Sequence, residues 1–219
     1  MKKNKRVLIL HGLNGSSYPH WQAHLAMDLI KEDFVVSFPE LPNKNSPDLK
    51  AWKEFLKVEL EHFKPDIVVC HSLANILWFH LCDELDINLD KLMLVAPVRN
   101  EVLEDAKSFF PYPESKNLKA KEIIMAASTN DPYMSLEEAI ALQSKLNIGM
   151  KIMEDAGHIN AASGYGKLDC ALDWIKREEV DMKFWLKWIF PVLGMAVFVL
   201  LFYWSGLYGG FFFGDLVNF

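Results

Sequence analysis

The sequence predicts an α/β fold: a six-stranded parallel sheet with helices on both faces, followed by a C-terminal transmembrane helix. Three observations predict it. Six short runs are apolar almost throughout, as strands covered on both faces must be. Helical patterns lie between them, and crossovers of that length join parallel strands. Towards the end, Trp188 to Gly214 carries no charged side chain, and a stretch of ~20 apolar residues suffices to cross a bilayer.

The first strand is "RVLIL", residues 6–10. It follows a basic start, but the apolar run stops at His11 and is too short for a signal-peptide core. "FVVSF" (34–38) is the second strand, and Ser46 with Pro47 marks a helix start after it. Trp21 and Trp52 fall on apolar helical faces and read as core. "DIVVC" (66–70) is the third strand, "LMLVA" (92–96) the fourth. Residues 97–117 form a polar, proline-bearing excursion of the kind that shapes a substrate entrance. "EIIMAA" (122–127) follows, then a helix opened by the capping pair Ser135 and Glu138, then "GMKIM" (149–153).

The chain has 219 residues, enough for one full core with an appendage. The reading divides it into a catalytic-sized domain over 1–179, a charged linker over 180–187 and a hydrophobic anchor and tail over 188–219. A net charge of −6 with no basic stripe argues against nucleic acid as a partner. The three cysteines, Cys70, Cys82 and Cys170, lack C-x-x-C spacing. They encode neither a disulfide framework nor a zinc knuckle, which suits a reducing compartment.

"VVCHSLANIL", residues 68–77, places Ser72 between a strand and a helix. A catalytic serine turn is usually G-x-S-x-G, because the sharp reversal needs small residues on either side. Cys70 and Ala74 are small without being glycine. Ser72 also reads as a simple helix cap. A serine nucleophile needs a histidine to take its proton and a carboxylate to orient that histidine. Asp131 in "STNDPYM" and His158 in "EDAGHIN" follow the next strands in the order serine, acid, histidine. All three loops open on one edge of a parallel sheet. Asp131 precedes Pro132 and also reads as a turn former, with Glu101 or Asp105 as reserve acids. The oxyanion donors expected are the backbone N–H groups of Leu73, at the start of the helix, and Leu13, beside Gly12. His71 is expected to point away from Ser72 and to pack or hydrogen-bond. His20 and His24 are spaced to face one metal ion, but no third ligand accompanies them. Cys70, at the end of its strand, reads as a small buried hydrophobe.

At these residues a resemblance appears. "HGLNGSSYPHWQ", "AWKEFL", "VVCHSLA", "TNDPYMS" and "AGHINAASGYG" resemble, in order, the small α/β-hydrolase (serine hydrolase) family that includes retinoblastoma-binding protein nine and its bacterial relatives. The resemblance spans residues 5 to about 177, and its last motif is the most specific. It implies a minimal α/β-hydrolase fold, with Ser72 as nucleophile, Asp131 as acid and His158 as base. The chain departs from the relatives at Cys70 and Ala74. The expected activity is hydrolysis of a small-molecule carboxylic ester, thioester or amide through an acyl-enzyme, with no cofactor and no metal. The competing expectation is a catalytically silent scaffold of the same fold that binds protein partners.

The tail stands outside the resemblance. Residues 188–204 are apolar with Trp at each end, and Trp favours both headgroup boundaries. Lys176, Arg177, Lys183 and Lys187 precede the segment and Asp215 follows, so the expected topology is single-pass with the hydrolase domain in the cytoplasm. Pro191 falls in the first turn, where its missing N–H costs little. Gly206, Gly210 and Gly214 recur every four residues and suggest a homodimer groove, against the alternative of a flexible interfacial end. The other reading, a helix folded over the entrance, fits less well, because the apolar residues surround the helix instead of forming one stripe.

Overall fold

The computed structural model describes residues 4–99, 104–113 and 117–177. Six strands, β1 (Arg6–Leu10), β2 (Val35–Ser37), β3 (Ile67–His71), β4 (Leu89–Val95), β5 (Ala120–Ser128) and β6 (Gly149–Met153), form one sheet in the order β2-β1-β3-β4-β5-β6. Every neighbouring pair is parallel. The helices are α1 (Trp21–Lys31), α2 (Leu49–Phe63), α3 (Leu73–Leu81), α4 (Leu136–Leu146) and α5 (Asp169–Lys176).

Alternation along the strands divides the core in two. Leu8 and Leu10 of β1 face α2 and α3, where Trp52, Leu56, Ile76 and Trp78 pack. Val7 and Ile9 face α1 and α5, where Trp21, Leu25, Leu29 and Trp174 pack. Trp21 and Trp52 are fully buried, and each keeps its indole N–H bonded to a backbone carbonyl, of Ile159 and Pro42 respectively. α3 is buried almost all round, which explains why its sequence carries no polar stripe.

The chain leaves β1 for β2 on one side and returns to β3 on the other. The loops after β1 and β3 therefore diverge, and a crevice opens at the carboxyl ends of those two strands.

Two local readings are corrected. α2 begins at Leu49, capped by Asp48, whose carboxylate accepts from the Ala51 N–H at 2.9 Å. Ser46 instead closes a turn to Asn43, and Asp caps as well as Ser does. β4 begins at Leu89, ahead of its apolar run, because Leu89 pairs with Ala120 and Lys91 with Glu122. Lys91 is 1% exposed, and its ammonium donates to the carbonyls of Trp174 (2.7 Å) and Ile175 (3.4 Å) at the end of α5. A cation at a helix C-terminus satisfies orphan carbonyls, a role invisible to a hydrophobic pattern. Within the 97–117 excursion, Ala106 and Phe109 join the core, with the Phe109 ring 5.2 Å from that of Trp52. This described part packs on α2 and α3.

Among the described residues, no helix is long and apolar enough to cross a membrane. The predicted anchor over 188–214, the linker over 180–187, the glycines 206, 210 and 214, and the reserve acid Glu101 lie outside the described residues.

Candidate active site

Ser72 joins β3 to α3 with φ 55° and ψ −122°. A non-glycine residue holds such a backbone only where its surroundings enforce it. Here the Ser72 N–H donates to the Val95 carbonyl at 2.9 Å. The Asn75 amide donates to the carbonyls of both Ser72 (2.8 Å) and Val95 (2.9 Å). One buried side chain thus ties the turn to the end of β4. Ala74 is wholly buried at the place where glycine is usual. The close approach falls instead at Gly12, where a Cβ would lie 2.6 Å from the Ser72 Cβ.

Three side chains meet at this turn. Ser72 Oγ is 2.8 Å from His158 Nε2, and His158 Nδ1 is 3.0 and 2.9 Å from the two oxygens of Asp131. With Nδ1–H donating to the carboxylate, Nε2 is left with its lone pair towards the hydroxyl. Asp131 also accepts the Tyr133 N–H at 2.9 Å, so the turn-former and acid readings describe one carboxylate. Asp105 is exposed, and the carboxylate that His158 Nδ1 bonds is that of Asp131.

A second set of bonds places the loops that carry Asp131 and His158. Asn130 Oδ1 accepts from the Gly157 N–H and the Ser128 hydroxyl, and Ser128 Oγ accepts from the Ala156 N–H at 2.9 Å. Ser163 Oγ accepts the His158 N–H at 3.1 Å. Gly157 has φ 54°, and a Cβ there would meet Ser163. These positioning residues were missed from sequence, since serine and asparagine in loops carry no distinctive pattern. Asn75 did carry a signal: a lone polar residue inside an apolar helix must have partners.

The loop after β1 is held by His11. Its Nε2 accepts from the Leu41 N–H at 2.8 Å, so Nδ1 carries the proton and donates to the Gly12 carbonyl at 2.7 Å. The Gly12 carbonyl and the Leu13 N–H belong to one trans peptide unit and point opposite ways. Leu13 lines the cleft beside Ser72. Leu73 is the first residue of α3, where a helix has no acceptor for its N–H. Among the described residues, neither N–H donates to a protein acceptor.

The cleft has a volume of about 220 Å³. Ser72, His158, Tyr133, His20, His71 and Asn160 are among the residues that line it. The His71 Nε2–H donates to the His158 carbonyl at 3.1 Å. Burial pushes the imidazole of His71 well below the ordinary histidine range, and the neighbouring His158 and His20 lower it further. Burial, then His158 and His11, brings His20 down to about 4. His20 packs its ring 4.9 Å from His71, whereas the His24 ring lies against Tyr18. The two do not face one ion, and no cluster of three metal-ligating side chains occurs among the described residues. Burial raises the Cys70 thiol and keeps it protonated, so it is a packing group.

The family model for serine hydrolases matches residues 7–177. The chain belongs to the serine hydrolase family. Its parallel six-stranded sheet is of the α/β-hydrolase type. Among solved structures, the ydeN gene product of B. subtilis aligns with a TM-score of 0.69 and 23% identity, over 78% of this chain and 97% of that one. A YdeN-like hydrolase of Pectobacterium atrosepticum aligns with a TM-score of 0.64 and 24% identity, over 78% and 89%. The esterase domain of a Rhodothermus marinus protein shares the fold at a TM-score of 0.56 and 11% identity, over 80% and 88%. Comparison with curated proteins returns no match. This serine hydrolase is therefore an enzyme by family, and its cleft is the place to look for its chemistry.

Proposed function

We propose that this serine hydrolase cleaves small carboxylic esters by two-step acyl transfer through Ser72. The continuous chain of hydrogen bonds from Ser72 through His158 to Asp131 carries the reading. As Ser72 Oγ attacks the carbonyl carbon, its proton passes to His158 Nε2, and Asp131 holds the imidazolium that forms. The Leu73 and Leu13 N–H groups bind the developing oxyanion, a contribution on the order of 3 kcal/mol per donor. Collapse of the tetrahedral species returns the proton to the departing alcohol. Water then attacks the acyl-enzyme by the same route and releases the acid. The carboxylesterase-like assignment draws on the small volume of the cleft and on the Rhodothermus marinus esterase domain of like fold.

The test is a fluorophosphonate probe, which reacts quickly only with an activated hydroxyl. Labelling on Ser72, abolished in Ser72→Ala, is the expected result. Equal labelling of both proteins, or of neither, overturns the reading and leaves the scaffold of the same fold.

We further propose that residues 188–204 hold the domain at a membrane with its active site in the cytoplasm, on the strength of the uncharged, Trp-flanked segment and the lysines and arginine before it. The full chain should resist alkaline carbonate extraction, while a chain ending at Glu179 should be soluble and still label at Ser72. Release of the full chain by carbonate refutes the anchor.

A further inference from the structure

Two cleft-lining histidines take no part in the proton transfers above, and their bonding fixes where their protons are. His20 is the cap of α1, and its Nδ1 accepts the Gln22 N–H at 3.2 Å. An accepting Nδ1 has no proton, so in the neutral ring the proton sits on Nε2. His71 is the reverse case. Its Nε2–H is committed to the His158 carbonyl, so its Nδ1 keeps a lone pair. His20 Nε2 and His71 Nδ1 have no protein partner among the described residues, yet neither is among the fully enclosed polar atoms that lack one. Both residues line the cleft with Ser72, and their rings are 4.9 Å apart. Both rings stay neutral at ordinary pH because burial opposes their protonation.

We infer that His20 Nε2–H and His71 Nδ1 form a donor–acceptor pair that binds a hydroxyl group of the substrate, beside the ester carbonyl that Ser72 attacks. A hydroxyl is the small group that both accepts from one neighbour and donates to the other. The remaining lining fits an uncharged, short ester: no Lys, Arg, Asp or Glu side chain is among the described residues of the cleft, and its volume is about 220 Å³. A substrate carboxylate or ammonium group would find no counter-charge there. The inference rests on the acyl-transfer reading given above, and names the substrate class for that same site.

Paired esters test it on the full chain. Methyl lactate against methyl propionate places the hydroxyl on the acyl side. Glyceryl monoacetate against propyl acetate places it on the alcohol side. Each kcat/KM is divided by the ester's rate with hydroxide, to remove intrinsic reactivity. The expected result is a preference on the order of ten-fold for the hydroxylated member in at least one arm, since a site built to bond a hydroxyl rejects the analogue lacking it. His20→Asn keeps a side-chain cap for α1 but shortens the reach into the cleft, and should collapse the preference. His24→Ala, whose ring lies against Tyr18, should keep it. The inference is overturned if wild-type enzyme hydrolyses the plain esters with no preference in either arm. It is also overturned if the preference survives in a His20→Asn protein of unchanged thermal stability. The wild-type comparison decides even where the variant does not fold. If no ester is turned over and Ser72 takes no fluorophosphonate, the acyl-transfer reading itself has failed. If Ser72 is labelled and no preference appears, the hydroxyl subsite alone has failed.

Discussion

Gly12→Ala should disable the enzyme while leaving it folded. A methyl group at Gly12 would sit 2.6 Å from the Ser72 Cβ and 3.1 Å from both the His71 carbonyl oxygen and the Ser72 Oγ. Ordinary contact begins near 3.4 Å, and 3.4 Å less 2.6 Å leaves about 0.8 Å for something to give. The serine turn resists, since Ser72 is bonded to Val95 and clamped by Asn75. The loop after β1 is the softer partner, held by the Asn14 N–H on the Lys44 carbonyl and by His11. A shift of that size carries the Leu13 N–H out of hydrogen-bond range of an oxyanion, and loss of one such donor lowers kcat ~10²- to 10³-fold. Overpacking costs about 1–3 kcal/mol, more than the ~0.4–1 kcal/mol by which alanine restricts the unfolded chain. The assay is initial rates on a short chromogenic ester, with thermal unfolding in parallel. The expected outcome is kcat down by ~10²-fold with KM nearly constant and Tm a few degrees lower. Gly149→Ala, where a Cβ meets only ordinary contacts, serves as control. A Gly12→Ala enzyme with kcat within about threefold of wild type and an unchanged Tm refutes the reasoning.

Removing the base should be more severe: His158→Ala is expected to lower kcat by at least ~10³-fold, since such groups act as a unit, and circular dichroism should show the fold retained. Lys91→Met leaves the Trp174 and Ile175 carbonyls without their ammonium donor. The lost bonds outweigh the relief of a buried charge, so stability should fall by about 2 kcal/mol in denaturant unfolding, and a more stable variant would refute the cap. His20 and His71 titrate lower in the folded state than in the unfolded chain. Below pH ~6.5 the unfolded chain binds the extra protons, so stability is complete above pH 6.5 and is lost on acidification, by up to ~1.4 kcal/mol per pH unit for each ring, the loss from His20 ending near pH 4. Thermal unfolding across that range should show the loss, with a shallower slope in His20→Asn.

Much of the fold was legible because its signals are local. β1 and β6 follow their apolar runs to the residue, and the capping box of Ser135 and Glu138 forms as its spacing requires. Local signals misled where a distant partner overrode them. Lys91 does not resemble a residue of a buried strand, yet pairing with β5 and the carbonyls of α5 make it one. His71 and His20 read as packing or stray metal ligands because the end of β3 and the start of α1 come together at the cleft only in the folded chain.

The sequence by itself determined which chemistry was available: a serine after a strand, then an acid, then a histidine, each in a loop at the same end of a parallel sheet. Order along the chain is written residue by residue, and hydrophobic periodicity is a property of short segments. Tertiary structure alone decided the distances. Ser72 and His158 are 86 positions apart in the chain, and they meet because β3, β4, β5 and β6 lie side by side in that order. The choice of side at each crossover sets that order, and it depends on how whole helices pack against the sheet, which no single segment encodes.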